Sequence, residues 1–172
     1  MFRLRRIISG GQTGADRAAL DFALGNGIPH GGWCPKGRKA EDGPIASRYR
    51  LQETPSSRYS QRTEWNVRDS DGTVIFSLDT RLRGGSRLTV IFARRHGKPL
   101  LHISQDDNRR EAGENLVRFI RHHRIRTLNV AGPRASEEPR VYQFVRDVLS
   151  MAVLTRRIKP VRVRNQSRKS VA

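Results

Sequence analysis

The sequence has few acidic residues, a single cysteine and no long apolar run, and each shortage excludes a class of protein. One cysteine among 172 residues, Cys34, excludes an internal disulfide framework and a multi-cysteine metal site. We interpret it as a small packed side chain rather than a reactive thiol or metal ligand. No stretch reaches the roughly 18 apolar residues that a membrane span requires, and none has the form of a signal peptide. We therefore expect a cytoplasmic protein without a membrane segment.

Basic residues greatly outnumber acidic ones, at 34 against 16, for a net charge of +18. Residues 155–172 carry no acid and many of the basic residues, which predicts a disordered tail after a single domain at 1–154. Such a tail either contacts nucleic acid without sequence preference or only improves solubility, and the sequence leaves both open. The positive charge of the domain at 1–154 favours an anionic ligand but does not indicate which one.

The first candidate site is a glycine turn between an apolar run that ends at residue 8 and a helical pattern at 15–26. Glycine lets a ligand approach the backbone, and the free N–H groups of a helix N-terminus favour an anion. Thr13 and Asp16 have the spacing of a capping box. A tight connection without a ligand is the alternative interpretation. The candidate ligand-binding residues here are Gly10, Gly11, Gln12, Thr13, Gly14 and Asp16.

Two later strands end in similar turns. An apolar strand at 72–78 leads to Gly84, Gly85 and Ser86, with Ser86 as candidate N-cap of the next helix. A strand at 127–131 leads to Gly132 and Arg134, and a helix is predicted from 139 to about 154. We include Arg134 as a candidate clamp for phosphate. Lys36, in a glycine- and proline-rich loop, is a further candidate for anion contacts, with a solvated surface as the alternative.

Alternating strands and helices predict one α/β domain of three layers, with a mostly parallel sheet and helices on both faces. The strand at 99–104 and helices at 60–69 and 111–123 complete the pattern. In such a fold all three glycine turns meet at the carboxyl edge of the sheet, where ligands bind. In the helix at 60–69, Arg62, Asn66 and Asp69 form one polar stripe, which is typical of a solvated face.

Several long motifs resemble the putative molybdenum (cofactor) carrier family. They include the stretches 7–21, 31–37, 41–45, 49–57, 61–73, 97–99 and 128–134, in order along the chain. The resemblance implies a Rossmann-like fold related to the lysine-decarboxylase-like superfamily, which includes cytokinin-activating phosphoribohydrolases. It implies a molybdopterin-type cofactor or a nucleotide derivative as ligand, and it makes Asn66 a candidate because its motif precedes the second glycine turn.

The second glycine turn departs from the phosphoribohydrolase relatives. The third glycine and the helical glutamate are absent at 84–89, and arginines occupy the polar positions of the helix. The sequence places only Asp16 and Asp79 near both turns as acids. We therefore favour a homo-oligomeric binding protein for an anionic, phosphate-bearing small molecule. An enzyme that processes nucleotides and a charge-driven nucleic-acid binder remain the alternatives, although no recognisable nucleic-acid motif supports the latter.

Overall fold

The computed structural model describes residues 4–105 and 108–157, with the backbone alone at 154–157. The strands are β1 (Arg6–Ile8), β2 (His30–Gly31), β3 (Trp33–Cys34), β4 (Lys39–Ala40), β5 (Gly43–Pro44), β6 (Gln52–Glu53), β7 (Gly72–Ser77), β8 (Leu100–Ser104) and β9 (Thr127–Ala131). The helices are α1 (Ala15–Gly25), α2 (Tyr59–Arg68), α3 (Gly84–Arg95), α4 (Arg109–His122) and α5 (Val141–Arg157). None of the described helices is long and apolar enough to cross a membrane.

A parallel sheet of five strands, in the order β2-β1-β9-β7-β8, forms the middle of the domain. The last strand in the chain, β9, lies at its centre. It pairs with β1 through Ile7 and Leu128, and with β7 through Val74 and Val130. Every residue of β7 is buried, as expected for a parallel strand with helices on both faces.

Helices cover both faces of this sheet. α1, α4 and α5 pack together on one face, and α2 packs on α3 on the other. The main core lies under the first group, where the rings of Phe76 and Phe144 meet edge to face at 6.0 Å. The predicted three-layer Rossmann-like fold is confirmed. A smaller core beneath the segment between β2 and α2 contains Cys34, which is buried as predicted. Burial raises the pKa of its thiol.

Two predicted boundaries near the carboxyl edge are wrong. Residues 132–140 form a loop, so α5 begins at Val141 rather than at Pro139. Ser86 does not cap α3, because the helix already begins at Gly84 and its N-cap is Arg83. At the other end, α5 continues to Arg157, beyond the predicted domain boundary at residue 154. The predicted tail from residue 158 onward lies outside the described residues.

Candidate functional site

The carboxyl ends of β1, β7 and β9 border one groove, here called the rim groove. Its larger chamber has a volume of about 440 Å³ and is lined by Ser77, Leu78, Asp79, Arg81, Leu82, Arg83, Gly84, Ser86, Pro133, Glu137 and Glu138. Its smaller chamber, of about 70 Å³, is lined by Gln12, Tyr59, Ser60, Arg62, Thr63, Gly85, Ser86, Leu88, Gly132, Arg134 and Glu137. Because Ser86 and Glu137 line both chambers, the two adjoin. The structure thus brings the predicted glycine turns to one place.

The groove lies at the topological switch point of the sheet, where the connections after two neighbouring strands lie on opposite faces. The chain leaves β7 toward α3 on one face, and it leaves β9 toward α5 on the other. The two connections therefore diverge and leave a crevice between them. Crevices at this point of open α/β sheets are the usual ligand sites of doubly wound folds.

The first glycine turn satisfies its own backbone. The Gln12 N–H donates to Asp16 Oδ2 at 3.2 Å, and the Thr13 N–H donates to Gln12 Oε1 at 3.0 Å. The Ala15 N–H donates to the carbonyl of Pro133 at 3.2 Å. The predicted capping box is wrong, because Gly14 is the N-cap and the Thr13 hydroxyl instead bonds Glu41 and the Ala135 N–H. The Asp16 carboxylate and the Pro133 carbonyl thus accept N–H groups of the turn that we predicted for a ligand anion.

Asp16 forms a buried ion pair with Arg62 of α2. Arg62 Nη1 lies 3.1 Å from Asp16 Oδ2, and the side chains are 14% and 2% exposed. Burial raises the pKa of Asp16, although the Arg62 guanidinium opposes that shift. The polar stripe of α2 therefore faces inward at Arg62 and Asn66, and the prediction of a solvated face is wrong for both.

Two buried donors beside the small chamber lack a hydrogen-bond partner among the described residues. They are Gln12 Nε2 and Arg62 Nε. The amide orientation of Gln12 follows from its contacts, because its oxygen accepts N–H groups from both Thr13 and Glu41, at 3.0 and 2.9 Å. Gln12 is 6% exposed, so this unsatisfied N–H₂ group is costly unless an acceptor enters the chamber. Both free groups are donors, which suits an oxyanion.

The candidate glycines of the three turns divide into two kinds. At Gly10, Gly11, Gly14 and Gly132 an added Cβ would come within 2.6 Å of other protein atoms, namely Arg62, Leu51, the 133–135 backbone and Phe76 O, respectively. The protein itself fills the space beside these four glycines. At Gly84 and Gly85 an added Cβ would meet nothing within 4 Å. The N-terminus of α3 is therefore the turn that is open toward the groove.

The loop after β9 brings acids that the sequence analysis missed. Glu138 accepts the N–H of Leu78, and Glu137 Oε1 lies 3.3 Å from Arg134 Nε. Burial raises the pKa of Glu138, as do the neighbouring carboxylates of Asp79 and Glu137. The prediction that Asp16 and Asp79 are the only acids near both turns is therefore wrong. The periodic signal had assigned residues 139–154 to a helix, and nothing in it placed the preceding loop against β7.

Of the predicted residues, only Gln12, Gly84, Gly85, Ser86, Gly132 and Arg134 line the chambers; the first turn contributes only Gln12, and Asn66 and Lys36 lie elsewhere. Asn66 is bound at both amide atoms by the backbone of Trp33, at 2.8 and 2.9 Å, so it joins α2 to β3. Lys36 is exposed in a short 3₁₀ segment and does not line either chamber. Arg62 and Tyr59 were missed as site residues. The Tyr59 ring has Arg134 at 5.8 Å and Arg62 at 5.9 Å from its centroid.

The order of the strands in the sheet is a permuted form of the usual doubly wound order. When β9 is counted as the first strand, the order reads 3-2-1-4-5, so the chain supplies the first strand last. The chain matches the family model described as the circularly permutated YpsA SLOG family over residues 7–153.

A solved structure agrees with this match. The crystal structure of a protein from Syntrophus aciditrophicus SB, named a putative molybdenum carrier protein, has a TM-score of 0.86 to this chain. It is 52% identical in sequence, and the match covers 87% of this chain and 95% of that one. No curated protein matches the chain. The permuted strand order, the family model and this structure agree, and the chain belongs to the circularly permutated YpsA SLOG family.

Proposed function

We propose that this protein binds an anionic, phosphate-bearing small molecule in the rim groove and holds it without converting it. The observation that carries the proposal is the pair of buried donors, Gln12 Nε2 and Arg62 Nε, which have no partner among the described residues. Buried donors of native proteins normally have an acceptor from protein, water or ligand, so their position beside an open chamber supports the proposal of a bound acceptor. The N-terminal turn of α3, at Gly85 and Ser86, lines the same chamber and adds the positive end of a helix dipole.

Two ligand classes fit this proposal. The name of the structural neighbour suggests a molybdopterin-type cofactor, and the superfamily relation suggests a nucleotide derivative. The large chamber, at about 440 Å³, lies within the roughly 300–1,000 Å³ typical of small-molecule sites. Both classes combine a ring system with a phosphate, which suits a large chamber that adjoins a small one.

The experiment is to identify what the protein retains. Gentle purification followed by mass spectrometry of the denatured supernatant should reveal a phosphate-bearing pterin or nucleotide. If the protein is empty, isothermal titration with inorganic phosphate and with nucleoside monophosphates should show saturable binding that a Gly85→Val variant weakens. A folded wild-type protein that retains none of these compounds and binds none would contradict the proposal.

A second candidate function is hydrolysis of a nucleotide at its N-glycosidic bond. The observation that favours it is the carboxylate pair of Glu137 and Glu138 beside the large chamber, since such chemistry requires a general acid or base. We expect no release of free base from AMP or GMP, because Glu137 is paired with Arg134 and Glu138 already acts as a hydrogen-bond acceptor for the Leu78 N–H, which suits binding of a further donor rather than proton transfer. Chromatographic detection of free base, above the level of a Glu138→Gln variant, would establish the hydrolase instead.

A further inference from the structure

The two chambers of the rim groove differ in charge and in the direction of their hydrogen bonds. The small chamber offers donors, from Gln12, Arg62 and the start of α3. The wall of the large chamber has three carboxylates, those of Asp79, Glu137 and Glu138, and two arginines, Arg81 and Arg83. The excess of carboxylates makes this the less favourable chamber for an anionic group. The groove therefore suits a ligand that accepts hydrogen bonds at one end and donates them at the other.

The carboxylates are not equally available to a ligand. Asp79 lies 3.8 Å from Arg83 and accepts the Arg81 N–H, and its side chain is 51% exposed. Glu137 pairs with Arg134. Glu138 is half-buried, and its described hydrogen bonds are to backbone N–H groups of the turn after β7. An ionised carboxylate accepts on both oxygens, so Glu138 retains capacity for donors from the chamber.

The rest of the large chamber favours a flat ring. Leu78, Leu82 and Pro133 add apolar surface to the wall of this chamber, beside its acidic residues. Planar heterocycles bury their faces on such side chains and present N–H groups at their edges. The small chamber has only about 70 Å³ against about 440 Å³, so the ring system belongs in the large chamber and the oxyanion in the small one.

We infer that the groove binds its ligand in this one direction, and that it selects a heterocycle with two adjacent N–H donors, as in the 2-amino-4-oxo edge of guanine and of pterins. Two parallel N–H donors match the two oxygens of a carboxylate. Hypoxanthine has the ring N–H but lacks the amino group, and adenine places an acceptor beside its amino group. This inference rests on the proposed function and specifies the ligand class of the same site.

The experiment compares GMP, IMP and AMP by isothermal titration on the full-length wild-type protein. A hydrogen bond to a charged group contributes about 1.5–3 kcal/mol, so each missing donor should weaken binding roughly 10- to 150-fold. We expect GMP to bind at least tenfold more tightly than IMP, and AMP to bind most weakly. In Glu138→Gln, the preference for GMP over AMP should fall below about threefold, while the matched control Glu111→Gln, an exposed residue of α4, should keep it.

The outcomes separate the two proposals. GMP and AMP affinities within threefold of each other in the wild-type protein would overturn this inference while leaving phosphate binding intact. A preference for GMP that survives in Glu138→Gln would overturn it as well. No binding of any of the three nucleotides or of inorganic phosphate would overturn both this inference and the proposed function. The comparison of nucleotides on the wild-type protein needs no variant, so it decides the matter even where Glu138→Gln does not fold.

Discussion

Replacement of Gln12 by glutamate tests the donor end of the groove without removing the structural role of that side chain. Gln12 Oε1 accepts the N–H groups of Thr13 and Glu41, and a carboxylate oxygen can accept both in the same way. The change converts only Nε2, the unpartnered donor, into an acceptor. Gln12→Glu is therefore close to isosteric, and it reverses the hydrogen-bonding character of the small chamber.

The expected loss of affinity has two parts. A hydrogen bond from Gln12 to a phosphate contributes about 1.5–3 kcal/mol, which corresponds to roughly 10- to 150-fold. The new carboxylate also repels the phosphate, and like charges about 4 Å apart interact by about 4 kcal/mol near a protein surface. Partial compensation by Arg62, which lines the same chamber, reduces that repulsion. We expect at least a hundredfold weaker binding of inorganic phosphate and of GMP.

The assay is isothermal titration, with thermal unfolding to verify the fold. The melting temperature of the ligand-free variant should lie within a few degrees of the wild type, because the backbone contacts of residue 12 persist. The matched control is Gln52→Glu, an exposed residue of β6, which adds the same charge away from the groove. A folded Gln12→Glu protein that binds phosphate as tightly as the control would refute the assignment of the donors to a ligand.

Three further predictions concern the ion pair, the glycines and the tail. Asp16→Asn leaves the Arg62 guanidinium buried without a charged partner, so the free energy of unfolding should fall by about 3–5 kcal/mol in denaturant titrations, and an unchanged value would contradict the role of the pair. Gly85→Val should fold normally and lose phosphate affinity, whereas Gly132→Val should lose stability, because the valine at 132 collides with Phe76 and Ala15. A lower melting temperature for Gly85→Val than for Gly132→Val would contradict this expectation. Truncation after Arg157 removes five Lys or Arg residues, so binding to random-sequence DNA should weaken and depend less on salt, while phosphate affinity stays constant; a decrease in phosphate affinity would show that the tail contributes to the groove.

The alternation of strands and helices was enough to predict the fold class but not the strand order. The bounds of β9 agree with the predicted strand at 127–131, because its apolar run is short and ends at glycine. Its central place between β1 and β7 depends on pairing between distant segments, which local periodicity does not encode. The sequence motifs nonetheless resembled a family, and that resemblance is confirmed by the family model and the solved structure.

The place of the rim groove was predictable, but several of its lining residues were not. The carboxyl edge follows from the parallel order of the strands, and the glycine turns do meet there. Which glycines face the groove depends on residues far away in sequence, such as Leu51 beside Gly11. Arg62 and Glu138 reach the groove from a helix face and a loop that carry no local signal of burial. A polar stripe on a helix has the same sequence pattern whether it faces solvent or a buried carboxylate.

A crystal structure of the protein with GMP would locate both ends of the ligand. We expect the phosphate in the small chamber, within hydrogen-bond distance of Gln12 Nε2 and Arg62 Nε, and the guanine in the large chamber. GMP bound outside the rim groove, or with its phosphate against Asp79 and Glu138, would contradict this placement.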